Sequence, residues 1–352
     1  MIFRVPNNTN ERYHGLDALR GFALIAGVAL HQSMAWLPGA KHWWIVADAD
    51  PSLILSTLFW WIHSFRLLLF FLLAGFFGRV LLLRLGIIAF VRDRVNRIAL
   101  PLFAAWPLVF SAIVAVVIWS VLIKYGELPK ESPPGPAFTA NDFPLTHLWF
   151  LWALLWCYAV ILVLCMLDKL DPQRKLARWI DSVMRVLCRP GAVLLLATPL
   201  AFALAHVPQW SAWFGVPTPD QSLYPNSAAA TAFGCAFVFG WLPHRQQDCL
   251  RLLSSAWSAN VALGLSASIA FFANVGLSPA FAGPVERWNI IFAAVCYAIS
   301  GWSWALALLG LTLRYLYRER RVRRYVTDAS YWVYIIHLPI VMALQVAASL
   351  LS

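Results

Sequence analysis

Apolar runs of about 20 residues recur along the whole chain and set the strongest limit on how it can fold. A helix of that length crosses the hydrocarbon core of a bilayer, which is about 30 Å thick. The chain is 61% hydrophobic and 12% charged, whereas about a quarter of the residues in a soluble domain are charged. We therefore expect an all-α integral membrane protein, a polytopic bundle of about nine transmembrane helices, formed by residues 1–352 as a single domain. The predicted spans are 16–37, 53–83, 98–123, 147–167, 192–207, 227–242, 255–275, 290–313 and 326–350.

The basic residues lie in short clusters between the apolar segments. Arg4, Arg12 and Arg20 precede or open the first segment, and a dense cluster occupies residues 314–324. The positive-inside rule places such clusters in the cytoplasm, so we expect a cytoplasmic N-terminus. Topology therefore accounts for the net charge of +11, and we expect a lipid bilayer as partner and no nucleic acid.

The six cysteines show no CxxC pair and no zinc-ligand spacing. Most lie within or beside apolar segments, where we interpret them as small core residues. We expect no metal site and no permanently bound cofactor. The positions are Cys157, Cys165, Cys188, Cys235, Cys249 and Cys296.

Ionisable side chains fall inside the predicted spans, where each charge costs about 2.5 kcal/mol or more. Arg20 and His31 lie on the first span, about 16 Å apart along a helix. His63 and Arg66 share one face of the second span by their i, i+3 spacing, and His337 falls near the middle of the last. If these faces meet, they form a track from an arginine-rich inner mouth to histidines nearer the outer side. Such a track suits a phosphate-bearing donor from the cytoplasm and an acceptor from outside.

Ordinary structural interpretations of the same residues stay open. His63, His147 and His337 each fit a hydrogen-bonded packing residue, with His147 at the outer interface. Asp17 fits an i, i+3 ion pair with Arg20 at a helix start.

The run Arg92-Asp93-Arg94 also fits a positive-inside anchor, although arginine forks match phosphates bidentately. Gly75 is predicted to permit close packing of two helices. The sequence contains no nucleophile elbow, P-loop or HExxH motif. These residues alone leave an enzyme, a transporter or flippase, and a membrane scaffold open.

Five blocks, in order along the chain, resemble the acyltransferase-3 family of membrane O-acyltransferases. The second block has the form seen in the branch that modifies periplasmic glucans. The family usually has about ten spans, one more than predicted here. The blocks are residues 12–21 followed by His31, then 63–76, 90–101, 147–151 and 331–338.

The resemblance implies transfer of an acyl group, acetyl or succinyl, from cytoplasmic acyl-CoA to a hydroxyl of a periplasmic or envelope glycan. The location implied is the bacterial inner membrane. His31 matches the family's essential first-helix histidine and Arg20 its arginine partner. Arg92 and Arg94 match the family's Arg-x-Arg motif, thought to meet the donor, and Arg97 follows in the same basic loop.

A mechanism follows as a hypothesis. Neutral His31 would act as general base toward the acceptor hydroxyl, while Arg20 with Asp17 would fix the local charge. His63 and Arg66 would stabilise the thioester oxyanion or position the pantetheine arm. Direct transfer and an acyl-His31 intermediate both stay open, as do the acceptor's identity and the oligomeric state.

Overall fold

The computed structural model describes residues 14–129, 135–168, 175–189, 191–242, 247–280, 286–316 and 321–351. Within these ranges the chain is helical without β-strands, and one isolated antiparallel bridge joins Thr139 and Asp142. The all-α prediction is confirmed. The α-helices are α1 (His14–Ser33), α2 (Leu53–Leu85), α3 (Ile87–Arg94), α4 (Leu100–Tyr125), α5 (Trp149–Asp168), α6 (Lys175–Leu187), α7 (Val193–Ala205), α8 (Ser227–Trp241), α9 (Gln247–Ser255), α10 (Trp257–Val275), α11 (Arg287–Tyr315) and α12 (Arg321–Ala348).

Each predicted apolar segment coincides with one of these helices, within a few residues at either end. Six stretches are long and apolar enough to cross a membrane, and α7 and α8 are shorter apolar helices. A polytopic membrane protein is thereby confirmed, while the count of nine spans and the cytoplasmic N-terminus stay predictions. The six stretches are Leu53–Leu85, Ile87–Tyr125, Thr146–Leu167, Trp257–Val275, Arg287–Tyr315 and Ala329–Ala348.

Some sequence predictions concern residues beyond the described ranges. Arg4 and Arg12 lie outside them, as does part of the basic cluster 314–324. Where the sequence predicted only cytoplasmic connections, the structure adds the short helices α6 and α9. Both separate charged from apolar side chains, as helices at a membrane surface do.

The central helices of the bundle are α2 and α11, which contact each other and several neighbours. Most of the apolar stretch of each is buried, whereas almost none of the stretch that contains α4 is buried. Leu108 and Phe103 on α4 are 73% and 63% exposed. A helix that is apolar all round and unburied in protein faces lipid, so α4 lies at the rim of the bundle.

Helices α2 and α8 cross with their backbones in contact. A Cβ at Gly240 would overlap the Leu72 carbonyl, and one at Gly75 would overlap the Phe237 carbonyl. Ala229, Ala232 and Ala236 continue the small-residue stripe along α8. The predicted role of Gly75 in close helix packing is confirmed.

The first and last described helices pack together, which closes the bundle. Near their contact the Gln345 amide on α12 donates to the Gln32 carbonyl at 3.0 Å and to the His31 carbonyl at 3.4 Å. Its oxygen accepts from the Trp44 indole nitrogen at 2.8 Å. Gln345 therefore joins three separate parts of the chain.

Two loops, residues 135–145 and 206–226, lie against each other and are here called the cap loops. Backbone hydrogen bonds run from Phe143 N to Gln221 O at 3.0 Å and from Leu223 N to Ala140 O at 2.9 Å. The Trp152 indole of α5 donates to the Leu223 carbonyl at 2.8 Å. The cap loops thus form one supported layer over the helix ends.

Candidate functional site

A cavity of about 410 Å³ lies beneath the cap loops, and we call it the histidine cavity. Its walls come from α1, α2, α5, α12 and the second cap loop. The volume is in the range of pockets that hold small molecules. The polar side chains that line it are His31, His63, Arg66, Thr146, His147, Thr218, Asp220, Tyr334 and His337, together with the indoles of Trp44 and Trp149.

Three histidines form a chain across the cavity. The rings of His31 and His337 have centroids 5.2 Å apart, and those of His337 and His147 are 5.0 Å apart. The three residues come from α1, α12 and the 3-10 turn Thr146–Leu148 directly before α5. Tertiary packing therefore unites groups that are more than a hundred residues apart in sequence.

Hydrogen bonds to main-chain carbonyls define the proton positions on two of these rings. His147 Nε2 lies 3.2 Å from the Tyr334 carbonyl and 3.1 Å from the Ile335 carbonyl. His337 Nδ1 lies 2.6 Å from the same Tyr334 carbonyl. Because carbonyls only accept, these nitrogens carry the protons. In the neutral rings, His147 Nδ1 and His337 Nε2 are then bases.

Arg66 enters the cavity from α2, beside a glycine of α1. A Cβ at Gly27 would overlap the guanidinium of Arg66, so only glycine leaves room for it there. One turn earlier on α2, His63 stacks on Phe59, with centroids 5.7 Å apart and an interplanar angle of 18°. Trp213 stacks on the same Phe59 ring at 5.6 Å, which holds the His63 ring in a defined plane.

Five buried nitrogens of this site have no hydrogen-bond partner among the described residues. A buried polar group left unpaired costs about 1–3 kcal/mol, so five of them in one cavity indicate that water or a polar ligand binds there. Arg66 also forms no ion pair with any described carboxylate, which makes the cavity suitable for negative charge. The atoms are His31 Nδ1, His63 Nδ1, Arg66 Nε, His147 Nδ1 and His337 Nε2.

A second group of ionisable residues, here called the arginine cluster, lies toward the other end of α1 and α2. It consists of Asp17, Arg20, Asp93, Arg94 and Arg97. Arg20 Nη2 lies 3.7 Å from Asp17 Oδ1, and its guanidinium lies 5.7 Å from the centre of the Phe77 ring. The predicted Asp17–Arg20 pair is therefore present.

Arg94 turns inward and is held by aromatic side chains. Its Nη1 donates to the Tyr158 hydroxyl at 3.3 Å, and its guanidinium lies over the rings of Tyr158 and Phe90 at 5.3 and 5.5 Å. It also pairs with Asp93, which accepts from Arg97 Nε at 3.0 Å.

Arg92 lies on the exposed side of α3. Two positions along a helix correspond to a rotation of about 200°, so Arg92 and Arg94 lie on opposite sides of α3. Directly after α3, residues Val95–Ala99 form a π-helical turn. The Tyr331 hydroxyl of α12 donates to the Arg97 carbonyl inside this turn at 2.8 Å. Single π turns are frequent at functional sites.

The structure thus places most of the predicted residues in two groups, at different positions along α1 and α2. His31, His63 and Arg66 share the histidine cavity, while Arg20 and Arg94 belong to the arginine cluster. Arg20, Gly27 and His31 lie on one face of α1, since seven and eleven residues are close to whole numbers of turns. This face runs from the arginine cluster to the histidine cavity. An open track between them stays a prediction.

Sequence reasoning missed several residues of the site. Gly27, Asp220 and Tyr334 were not singled out, and His147 and His337 were given packing as their first interpretation. The signal for the two histidines was present, because each is an ionisable group in an apolar helix. No sequence signal marked Asp220, which reaches the cavity from a loop.

A bundle of apolar helices around a polar cavity defines a multi-pass membrane protein with a candidate site inside the bundle. A family model described as "Acyltransferase domain" matches residues 13–351. The chain belongs to this acyltransferase-3 family. The family predicted from the five sequence blocks is confirmed, and so is the acyltransferase class of the domain.

Two curated relatives carry the name "Glucans biosynthesis protein C". The protein from Shigella boydii serotype 4 (strain Sb227) is 32% identical over 146 residues, which cover 40% of this chain and 36% of the relative. That from Escherichia coli O1:K1 / APEC is 31% identical over the same shares. The match thus spans little more than a third of each relative's length. No solved structure matches the chain.

Proposed function

We propose that this chain is a membrane O-acyltransferase of the bacterial inner membrane. It moves an acetyl or succinyl group from cytoplasmic acyl-CoA to a hydroxyl of a periplasmic or envelope glycan. The family supports the reaction class, and the name of the relatives supports a glucan acceptor. The observation that carries the proposal is the meeting of His31, His63 and Arg66 in one cavity, on a helix face that leads to the arginine cluster.

The chemistry requires a base, an oxyanion stabiliser and a leaving group. His31 takes the proton of the acceptor hydroxyl as that oxygen attacks the thioester carbonyl. Arg66 and His63 stabilise the oxyanion that forms. Collapse of the tetrahedral intermediate breaks the C–S bond, and the CoA thiolate recovers the proton from His31. An acyl-His31 intermediate is the alternative route, which rapid quenching with labelled donor distinguishes.

His337 is proposed to orient His31. Its Nδ1 proton is held by the Tyr334 carbonyl, so its Nε2 lone pair is available toward the neighbouring ring of His31. When His31 becomes an imidazolium, that lone pair can accept its second proton in a hydrogen bond. This is the role that a carboxylate plays beside the histidine of a catalytic triad.

The arginine cluster is proposed to bind the phosphates of CoA, with Arg20 and Asp17 setting the charge near the donor arm.

Replacing Arg94 by alanine should raise the KM for acyl-CoA about tenfold, since a charged hydrogen bond contributes about 1.5–3 kcal/mol. Initial rates against acyl-CoA concentration measure this. Arg84→Ala, an exposed arginine at the end of α2, should leave the KM unchanged. An unaltered KM in Arg94→Ala removes this residue from donor binding, and Arg92→Ala and Arg97→Ala test the rest of the predicted set.

Gly27→Ala tests whether Arg66 must occupy its observed position. The new methyl group overlaps the guanidinium, which must move because it is the flexible partner. Acyl transfer should fall about tenfold, because small displacements of charged groups are costly to a reaction, while thermal stability changes little. Gly234→Ala, whose Cβ meets nothing within 4 Å, is the matched control. Full activity in Gly27→Ala contradicts the role given to Arg66.

Mass spectrometry of periplasmic and envelope glycans, from cells with and without the chain, tests the function. A mass difference of one acyl group that depends on the chain identifies both the acyl group and the acceptor. The rival transporter or flippase predicts no new ester and no acyl-CoA binding. Unchanged glycans, together with no acyl-CoA binding by the purified protein, would refute the proposal.

A further inference from the structure

One wall of the histidine cavity differs in chemistry from the others. Asp220, from the second cap loop, is the one carboxylate among the described residues that line the cavity. The Thr218 hydroxyl donates to its Oδ1 at 3.3 Å. Burial raises the pKa of the Asp220 carboxyl, an effect that hydrogen bonds from its own backbone, Thr218 and Gln221 reduce.

Asp220 forms no ion pair within the described ranges. Arg66 lines the same cavity but is more than 4.0 Å from the carboxylate, the limit for such a pair. A half-buried carboxylate without a cation retains acceptor positions for other donors. Neutral hydroxyl groups are donors of that kind, and they add no further charge to the cavity.

Aromatic rings also line the cavity. Trp44 lines the cavity, and the bond from its indole nitrogen to Gln345 holds the ring. Phe214 follows the buried Trp213 in the second cap loop and packs edge-on against Phe59, with centroids 6.5 Å apart. Flat apolar faces and a hydrogen-bond acceptor in one cavity suit a ring that is apolar on its faces and hydroxylated at its edge.

The loop that carries Asp220 is held from both sides. Thr146 N donates to the Asp220 carbonyl at 3.2 Å, which ties the loop to the start of α5. The Asn226 side chain donates to the Pro217 carbonyl at 2.9 Å and accepts from Ala229 N as the cap of α8. Asp220 is therefore preorganised, which lowers the entropic cost of binding.

We infer that Asp220, Thr218, Trp44 and Phe214 form an acceptor subsite for an uncharged sugar ring. The carboxylate accepts hydrogen bonds from ring hydroxyls, and the aromatic rings pack against the apolar face of the sugar. A neighbouring hydroxyl of the same sugar is then presented to His31 across the cavity. The inference rests on the proposed function, and it selects neutral sugars over anionic acceptors, which Asp220 repels.

The test uses the purified full-length chain in a detergent without a sugar head group, because alkyl glycosides would compete for the site. A short neutral gluco-oligosaccharide is titrated while indole fluorescence is followed, and the KM for this acceptor is measured with labelled acyl-CoA. Asp220→Asn should weaken binding and raise the acceptor KM about tenfold, the equivalent of about 1.4 kcal/mol for a lost charged hydrogen bond. The KM for acyl-CoA should stay constant. Glu127→Gln, exposed and distant from the cavity, is the matched control.

The possible outcomes distinguish failure of the sugar subsite from failure of the proposed acyl-transfer reaction. Binding that is unchanged in Asp220→Asn, or equal binding of an anionic oligosaccharide, overturns the subsite even if the wild type transfers acyl groups. A wild-type chain that binds the neutral oligosaccharide through Asp220 but transfers nothing retains the subsite and refutes the proposed function. Absence of binding to the wild type also overturns the subsite.

Discussion

Replacing His31 by alanine is expected to lower acyl transfer by about 10²–10⁴-fold, the usual contribution of a general base. His31 is the ionisable group of α1 inside the cavity, and His337 lies beside it at 5.2 Å. Without the imidazole, no other group of α1 can take the acceptor proton there. The measurement is single-turnover transfer from labelled acyl-CoA at saturating acceptor, with the amount of folded protein determined in parallel.

His206→Ala provides the control for His31→Ala. His206 is exposed at the end of α7 and does not line the histidine cavity, so its loss should leave transfer unchanged. Donor binding should survive in His31→Ala, because the arginine cluster lies about 16 Å away along α1. Wild-type transfer by folded His31→Ala protein would show that the base is a different residue.

Replacing Gly240 by alanine is expected to destabilise the fold by about 3 kcal/mol, the upper end of the usual cost of overpacking. The new methyl group overlaps the Leu72 carbonyl, and neither backbone can yield without separating α2 from α8. Since α2 carries His63 and Arg66, the loss extends to the cavity. Thermal unfolding of the purified protein in detergent measures the change.

Gly234→Ala is the matched substitution on the same helix. Its Cβ meets no atom within 4 Å, and alanine is a better helix former than glycine by about 1 kcal/mol. Gly234→Ala should therefore unfold at the wild-type temperature or slightly above. If both variants unfold at the wild-type temperature, contact between the two backbones is not what stabilises the crossing.

Helical periodicity and apolar length predicted most of the fold. The spacing of His63 and Arg66 also predicted that these two side chains share a face, because that relation is local to one helix. The same geometry explains why Arg92 and Arg94 diverge, although the resemblance grouped them. One turns to solvent and the other to Tyr158.

The remaining parts of the site depend on contacts between distant parts of the chain. His147 and His337 are 190 residues apart, and only the packing of α5 against α12 brings their rings to 5.0 Å. Asp220 reaches the cavity because the cap loops pair through their backbones, a contact that leaves no periodic trace in sequence. The requirement for glycine at position 27 becomes apparent only when the Arg66 guanidinium is known to lie against it.

The packing of α1 against α12 has a consequence for biosynthesis. A ribosome delivers His31 early, whereas Tyr334, His337 and Gln345 emerge some 300 residues later, about 15–60 s at usual translation speeds. During that interval the nascent chain has the proposed general base but lacks the α12 wall of the cavity. We therefore expect the site to form only when α12 is inserted, and a chain that stalls before α12 to transfer no acyl group.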